Sequence, residues 1–175
     1  MGRKINSEVG ALDRVPTNHF RTAKGALTVV LLNPRIPQNT GSIARLCAAT
    51  GSRLHLINPL FKITEKKLRR AGLDYWPLLD VLTFDSYKEW QAKHLDIKPW
   101  LVECKAPKAY SQAEFKASDY IMFGDEQAGI DEKLLSENPE LHIDLPQINV
   151  RSINLAMATG VVLFEAYRQL NYPYL

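Results

Sequence analysis

Three polar segments of the chain carry side chains that could bind an anion or take part in a group transfer. The first segment, residues 33–45, ends in an arginine, and helical spacing would place Asn39, Ser42 and Arg45 on one stripe. A guanidinium beside the positive end of a helix is suited to a phosphate group. A solvated helix face would show the same pattern, so the segment by itself leaves both interpretations open.

The other two segments are residues 124–129, with the sequence GDEQAG, and residues 147–154. Glycine has no Cβ atom, so glycines at both ends of the second segment would let its backbone approach a ligand closely. The third segment carries Arg151, Ser152 and Asn154, and we expect Ser152 to cap the helix that follows. Ligands of open α/β sheets bind where strands are followed by helices. A plain strand-to-helix connection without a ligand would have the same sequence pattern.

Several common kinds of site lack support in the sequence. The first predicted strand is not followed by Gly-x-Gly-x-x-Gly, and no Gly-Lys-Ser/Thr is present, so dinucleotide and P-loop sites are not indicated. The two cysteines, Cys47 and Cys104, do not have the spacing of metal ligands. The histidines form no ligand pattern either, and we expect no metal; they are His19, His55, His94 and His142.

Strands alternating with helices are predicted to position these segments. The run LTVVLL at residues 27–32 is typical of a strand buried on both faces of a parallel sheet. The six predicted strands are residues 27–32, 53–57, 81–84, 100–104, 120–123 and 142–145. The predicted helices are residues 42–50, 64–70, 86–93, 131–136 and one beginning at about Ser152. This alternation predicts one α/β domain, residues 26–175, with a mainly parallel six-stranded sheet and helices on both faces.

Composition limits the class of protein. The chain has 175 residues, of which 46% are apolar, and this suits a single domain with a substantial core. No run approaches the ~20 apolar residues of a membrane span, and the N-terminus is polar, so we expect a cytoplasmic protein without a membrane partner. The net charge of +3 permits an RNA partner but does not require one.

Two basic stretches could contact nucleic acid. Residues 1–25 form an N-terminal extension that we expect to be partly disordered, either as a basic arm or as a solvated tail. Residues 64–70, TEKKLRR, predict a short helix with four cations, which is either a solvated face or an RNA-binding surface. The four cations are Lys66, Lys67, Arg69 and Arg70.

Four blocks of sequence resemble those of the SPOUT-class RNA 2′-O-methyltransferases. In chain order they are IPQNTGSIARLCAATG, KLRRAGLDYW, MFGDEQAG and LPQINVRSINLA. Within this class they are most similar to the small TrmL type, which methylates the wobble nucleotide of certain tRNAs. The resemblance covers about residues 27–172, and four blocks in the same order and spacing make it specific.

The resemblance implies a single SPOUT domain whose C-terminal segment forms a trefoil knot. It implies S-adenosylmethionine as the cofactor and a homodimer with the cofactor pocket near the subunit interface. The implied substrate is the anticodon stem-loop of tRNA, methylated at position 34, a cytidine or a modified uridine. Two alternatives remain open: another tRNA or rRNA position, or a catalytically silent RNA-binding protein of the same fold.

The resemblance also implies roles for individual residues. The cofactor pocket would contain Val102, Gly124, Leu145, Gln147 and Ser152, with Gly124 passing close to the ribose and the backbone beside Pro146 facing adenine. The catalytic positions would be Arg45, Glu126 and Asn154. RNA would be bound by Arg35, Lys66, Lys67, Arg69, Arg70 and Arg151. Because a guanidinium stays protonated, we expect Arg45 to clamp an RNA phosphate and orient the 2′-hydroxyl rather than act as a base.

The sequence departs from the family pattern at four positions. Arg35 stands where an acidic residue is common, Ser42 replaces a frequent asparagine, Ala156 a serine and Phe164 a tyrosine. None of these changes removes a residue given a catalytic role, so we expect an active enzyme. The last helix is apolar on more than one face, which favours its use in the subunit interface.

Overall fold

The structure is a computed structural model that describes residues 3–4, 25–61 and 79–173. The basic helix predicted for residues 64–70 lies outside these ranges, and so do the four cations assigned to it.

A single twisted sheet organises the described residues. Its order is β1-β4-β3-β2-β7-β5-β8-β6, and every strand runs parallel to its neighbours except β1, which pairs antiparallel with β4. The strands are β1 Arg3–Lys4, β2 Thr28–Leu32, β3 Arg53–Ile57, β4 Val81–Phe84, β5 Trp100–Val102, β6 Lys108–Ala109, β7 Tyr120–Phe123 and β8 His142–Asp144. The prediction of an α/β fold with a mainly parallel sheet is therefore confirmed.

The sheet contains the six predicted strands and two further ones, so the expected six-strand count was too low for the described residues. Both additions, β1 and β6, have two residues and therefore no periodicity that a sequence could show. β1 belongs to the N-terminal extension, where Arg3 pairs with Thr83 at the sheet edge. At least this part of residues 1–25 joins the domain.

Among the described residues, four α-helices lie on the two faces of the sheet, and helices on both faces were predicted. They are α1 Pro37–Thr50, α2 Tyr87–Lys93, α3 Glu132–Glu137 and α4 Leu155–Gln169. α1 and α4 share the larger core, where Ile43, Cys47 and Leu163 pack with the sheet residues Val29 and Phe123. α2 and α3 cover the other face, around a smaller cluster that includes Val30, Trp90 and Met122.

Both helices beside the polar segments begin at residues other than those predicted. α1 starts at Pro37, whose fixed φ suits the first helical position, so Asn39 lies inside the first turn and is not a cap. α4 starts at Leu155, and Asn154 is its cap: its side-chain oxygen accepts from the N–H groups of Ala156 and Met157. The expectation that Ser152 caps this helix is wrong. The predicted end of α1 at residue 50 is confirmed, and Gly51, with a left-handed φ of 65°, follows as its C-terminal cap.

One histidine, His55, is buried in the sheet among aromatic rings. His55 in β3 is 2% exposed, and its Nδ1 accepts a hydrogen bond from the indole N–H of Trp90 at 3.1 Å. The rings of Phe84, His94 and Tyr120 surround it. Burial lowers the pKa of His55 from 6.5 to about 3, and the charges of His94 and Arg53 add to the shift.

We predict that His55 makes the folded state less stable as pH falls. The folded pKa lies below the unfolded one, so its stabilising effect is complete above about pH 6.5 and is lost progressively towards pH 3. The slope from this group is about 1.4 kcal/mol per pH unit. His55→Gln keeps an acceptor for Trp90 but cannot titrate. Urea unfolding at pH 7, 6 and 5 should show a shallower decline for the variant, and parallel declines would contradict the prediction.

Candidate active site

A cleft of about 570 Å³ opens at the carboxyl ends of β5, β7 and β8. Its walls come from residues 102–105, 123–129, 144–145, 147, 151–155 and 158, with Ile36 and Asn39 contributed from around the start of α1. The volume lies within the range of small-molecule and cofactor sites. The position agrees with the expectation that ligands bind where parallel strands end.

The structure brings most of the predicted site residues together in this cleft. Eight of them line it: Val102, Gly124, Glu126, Leu145, Gln147, Arg151, Ser152 and Asn154. Arg35 lies at its rim, in contact with the lining residue Asp125. Arg45 is exposed on α1 and is not among the lining residues.

A tight turn at residues 125–129 forms one wall. The backbones of Asp125 and Gly129 exchange two hydrogen bonds, of 3.2 and 2.8 Å, and Gly129 has a left-handed φ of 72°. A Cβ atom at Gly124 would lie 2.2 Å from the backbone carbon of Gly129. Gly124 is therefore needed so that the chain can pack against its own turn. The sequence analysis expected close approach to a ribose and did not predict this packing.

The buried carboxylate of Asp125 joins this turn to the first polar segment. One oxygen accepts from the N–H groups of Gln127 and Ala128, and the other lies 2.5 Å from Nε of Arg35. Burial alone would raise the pKa of Asp125, but these N–H groups and the guanidinium lower it on balance. The side chain of Arg35 is 42% exposed, and its predicted contact with RNA stays a prediction.

Glu126 caps α1 from a distant part of the chain. Its carboxylate accepts from the N–H groups of Arg35 at 2.8 Å and Ile36 at 3.1 Å, and from the side-chain amide of Asn39 at 3.2 Å. The residue preceding α1, Ile36, offers no side-chain cap of its own. A carboxylate at this end of a helix is favourable because it meets unpaired N–H donors and the positive end of the dipole.

The same hydrogen bonds continue to α4. The side-chain oxygen of Asn39 accepts from the side-chain amide of Asn154 at 3.0 Å, and Asn154 in turn caps α4. The line Glu126–Asn39–Asn154 thus fixes a loop and the first turns of two helices around the cleft. Two of the three predicted catalytic residues belong to it.

A second set of contacts closes the opposite wall. The side-chain amide of Gln147 donates to Sγ of Cys104 at 3.6 Å, and the thiol lies 3.5 Å from the carbonyl of Arg151. Burial raises the pKa of Cys104, so its thiol keeps the proton that this second contact needs. The side-chain oxygen of Gln147 is buried and has no hydrogen-bond partner among the described residues.

Sequence reasoning missed four residues of the site, Asn39, Asp125, Glu103 and Cys104. Asp125 stands between the two glycines of a segment already singled out, and Asn39 had been placed on a polar stripe, so both carried a signal. Glu103 carried no signal in the sequence. In the structure its carboxylate accepts from the N–H groups of Ile130 and Cys104, and a Cβ atom on Gly129 would collide with it.

The position of Arg45 corrects one expectation. Because α1 begins at Pro37, Arg45 is its ninth residue and lies about 12 Å along the axis from the start. It is therefore not beside the positive helix end, as expected from a helix starting near Ser42. Any role in binding a phosphate must come from its place on the exposed face of α1.

The described residues contain no group of three or more His, Cys, Asp or Glu side chains that could hold a metal ion. None of their helices is long and apolar enough to cross a membrane.

Comparison with known proteins places the chain among RNA methylases. Its sequence is 41% identical over 150 residues to the tRNA (cytidine(34)-2′-O)-methyltransferase of Escherichia coli (strain K12), covering 84% of this chain and 96% of that protein. Its structure is similar to a putative RNA methyltransferase from Bacillus anthracis, with a TM-score of 0.80 and 39% identity, covering 86% of this chain and 98% of the other.

A further solved structure comes from a study of 2-OH methylation of C/U34 on tRNA. It matches with a TM-score of 0.78 and 40% identity, over 83% of this chain and 97% of the other. The model of the SpoU rRNA methylase family matches residues 26–164, which include the whole cleft. The chain therefore belongs to the SpoU rRNA methylase family.

Proposed function

We propose that the protein transfers a methyl group from S-adenosylmethionine to the ribose 2′-hydroxyl of nucleotide 34 in tRNA, a cytidine or a modified uridine. The observation that carries this proposal is the cleft, in which the three separate polar segments meet through Glu126, Asn39 and Asn154. The relatives named for position 34 match along almost their whole length, which favours tRNA over the rRNA in the family's name.

The residues present fit the proposed cofactor. Leu145 and Val102 are buried apolar residues of the cleft and suit a flat base, and the side-chain oxygen of the lining residue Gln147 has no hydrogen-bond partner among the described residues. Gly124 and Ser152 would complete the set that holds it. When bound, S-adenosylmethionine supplies an electrophilic methyl group, so the protein needs chiefly to align the acceptor hydroxyl.

The chain's own residues would then act by positioning. Both oxygens of Glu126 already accept N–H groups, so we assign it the placement of α1 and α4 and not the removal of a proton. Arg45 would hold an RNA phosphate and orient the 2′-hydroxyl, whose proton passes to phosphate or water. Arg151, exposed at the cleft, and Arg35, at its rim, would attract the RNA backbone.

The proposed fold includes the C-terminal trefoil knot. β8 lies between β5 and β6, although residues 103–107 alone join β5 to β6. Contacts link this short connection to the later chain: the N–H of Lys105 donates to Asp144, and Cys104 contacts Arg151. These features support passage of the C-terminal segment through the connection, an arrangement that is very rare among proteins.

The proposed assembly is a homodimer that buries the outer face of α4. Met157, Val161 and Phe164 are 68%, 44% and 46% exposed and follow one another at helical spacing. Ile36, which lines the cleft, is a further exposed apolar residue, at 42%. A second copy packed on it would cover apolar area that water otherwise contacts.

Transfer of labelled methyl to an anticodon stem-loop, followed by mass spectrometry of the nucleosides, tests the proposed function. We expect a 2′-O-methyl group at nucleotide 34. Methylation at another tRNA position or in rRNA would favour the first alternative. Cofactor binding without transfer to any RNA would favour the silent RNA-binding protein.

We predict that Arg45→Ala lowers single-turnover methyl transfer about 10²-fold or more, the scale of a lost oriented electrostatic contact. The fold and the cofactor affinity should remain. Arg45→Lys should restore little, because a point charge cannot reproduce a planar, bidentate fork. Arg53→Ala is the matched control, since Arg53 begins β3 at the amino end of the strand, opposite the carboxyl ends where the cleft opens. Near-normal transfer by Arg45→Ala would show that Arg45 is a solvated residue of α1 with no role in methyl transfer.

We predict that Glu126→Gln lowers both thermal stability and transfer, because an amino group replaces one oxygen that accepts N–H groups. Leaving such donors unpaired costs about 1–3 kcal/mol. Glu132→Gln, an exposed glutamate in the first turn of α3, is the control and should change neither quantity. If Glu126→Gln kept full stability but lost transfer, Glu126 would act on the reacting groups and not through the two helices.

We predict that Val161→Asp yields monomers at micromolar concentration, because a charge would be buried in the proposed interface. Light scattering measures the mass. Leu95→Asp is the control, since Leu95 is 81% exposed and lies outside α4. If the protein stayed dimeric with Val161→Asp and also with Phe164→Asp, the outer face of α4 would not be the subunit interface.

A further inference from the structure

Arg35 is held at the rim of the cleft by two separate contacts. Its backbone N–H donates to Oε2 of Glu126 at 2.8 Å, and its side-chain Nε donates to Oδ2 of Asp125 at 2.5 Å. The Asp125 side chain is 3% exposed, whereas the Arg35 side chain is 42% exposed. One edge of the guanidinium is therefore fixed on a buried anion, while the side chain as a whole stays in contact with solvent.

The turn around Asp125 decides which part of the guanidinium is used. Carboxylates frequently bind arginine through two parallel N–H···O bonds. Here Oδ1 of Asp125 already accepts from the N–H groups of Gln127 at 2.7 Å and Ala128 at 3.1 Å, so Oδ2 alone is left for Arg35. Among the described residues, the Arg35 side chain makes this one hydrogen bond, through Nε. The edge formed by its two terminal nitrogens can therefore bind a second anion.

The neighbouring carboxylate, Glu126, does not compete for that edge. Its Oε2 accepts the backbone N–H of Arg35, and its Oε1 accepts from Ile36 at 3.1 Å and from the Asn39 amide at 3.2 Å. These contacts already fasten the start of α1 to the turn without the Arg35 side chain. Partly exposed ion pairs contribute little to stability, so fastening alone does not account for the pair of Arg35 and Asp125.

The position of Arg35 indicates which anion this edge can bind. Arg35 is not among the residues that line the cleft, which include four carboxylates, so an anion reaches it over the rim and not from within. An RNA strand with one nucleotide in the cleft keeps the phosphates on either side of that nucleotide outside. Phosphate contacts of this kind set the position of a nucleic acid on a protein. The planar fork of arginine matches the geometry of a phosphate.

We propose that Asp125 is a positioning residue, which holds Arg35 by Nε so that the two terminal nitrogens bind a backbone phosphate of the RNA at the rim of the cleft. This inference rests on the proposed function and extends it to the way in which RNA is gripped. Arg35 stands where an acidic residue is common in the family, so the grip is a feature of this chain and not of the shared pattern.

Asp125→Asn tests the proposal because two explanations predict changes of opposite sign. Asparagine keeps one oxygen for the N–H groups of Gln127 and Ala128, but it turns an amide nitrogen towards Nε of Arg35. The variant also removes a negative charge, which by charge alone should strengthen RNA binding. We expect the affinity for an anticodon stem-loop with cytidine at position 34, measured by fluorescence anisotropy, to fall about threefold or more, because the phosphate contact loses its alignment.

Variants of Arg35 test the same contact from its other side. Arg35→Gln should weaken stem-loop binding about tenfold and reduce the slope of log affinity against log salt by about one. Arg35→Lys should restore little, because lysine has no second N–H group by which Asp125 could hold it. Adding Asp125→Asn to Arg35→Gln should weaken binding no further, because no guanidinium remains to be held. The affinity for S-adenosylhomocysteine, measured by calorimetry, should stay unchanged in each variant.

The ion pair of Arg53 and Asp80 provides the matched control. It is also made through Nε of the arginine, at 3.4 Å, and it lies at the amino end of β3, opposite the cleft. Arg53→Gln and Asp80→Asn remove the same charges and should leave the stem-loop affinity unchanged.

Unchanged or stronger stem-loop binding by Asp125→Asn would overturn the inference and leave the proposed function intact. If Asp125→Asn does not fold, Arg35→Lys decides, because full binding by that variant would show that a charge suffices without alignment. Weaker binding of S-adenosylhomocysteine by Arg35→Gln would assign the terminal nitrogens to the carboxylate of the cofactor and would also overturn the inference. A wild-type protein that bound no stem-loop would overturn the proposed function together with this inference.

Discussion

The site depends on one carboxylate that caps a helix far away in sequence. α1 begins at a proline and is preceded by an isoleucine, so its own sequence supplies no side chain for the first N–H groups. Glu126, about 90 residues later, accepts two backbone N–H groups and the Asn39 amide. Because Asn39 also receives the Asn154 amide, the start of α4 is placed by the same contact. Helix caps usually come from residues close in sequence. Here a distant carboxylate holds together the three segments that form the cleft.

Close backbone packing makes that arrangement rigid. Gly124 lies against the backbone of Gly129 and Ile130, and Gly129 lies against the Glu103 carboxylate, with no room for a Cβ atom at either glycine. The turn that carries Glu126 is thus held from both sides, by Asp125 within it and by Glu103, the residue that follows β5. The preceding strand, β7, is central in the sheet and pairs with β2 and β5. The Glu126 carboxylate therefore follows closely after a central strand, the kind of element that opens least readily.

Sequence reasoning found the elements more accurately than their ends. Three strands, Arg53–Ile57, Val81–Phe84 and Tyr120–Phe123, have the predicted bounds. Each is followed at once by a turn-forming pair, NP, DS or GD, which marks where the strand ends. The helix starts were wrong where several capping residues compete: Asn154 won over Ser152, and Pro37 placed Asn39 inside the helix. The three polar loops were found from composition and from family resemblance. Their mutual contacts join residues about 90 to 115 apart, and no local pattern records them.

The residues that line the cleft carry more negative than positive charge, and this balance bears on the proposed cofactor. Four carboxylates line it, against the two cations Lys105 and Arg151. Glu103, Asp125 and Glu126 each have both oxygens engaged by N–H groups or by Arg35, which leaves them poorly placed to accept a proton from a substrate. Their field still favours a cationic ligand. A sulfonium cofactor loses its positive charge when the methyl group leaves, so the same field would hold the substrate form more strongly than the product form. Such fixed carboxylates would thus promote exchange of the spent cofactor without entering the chemistry.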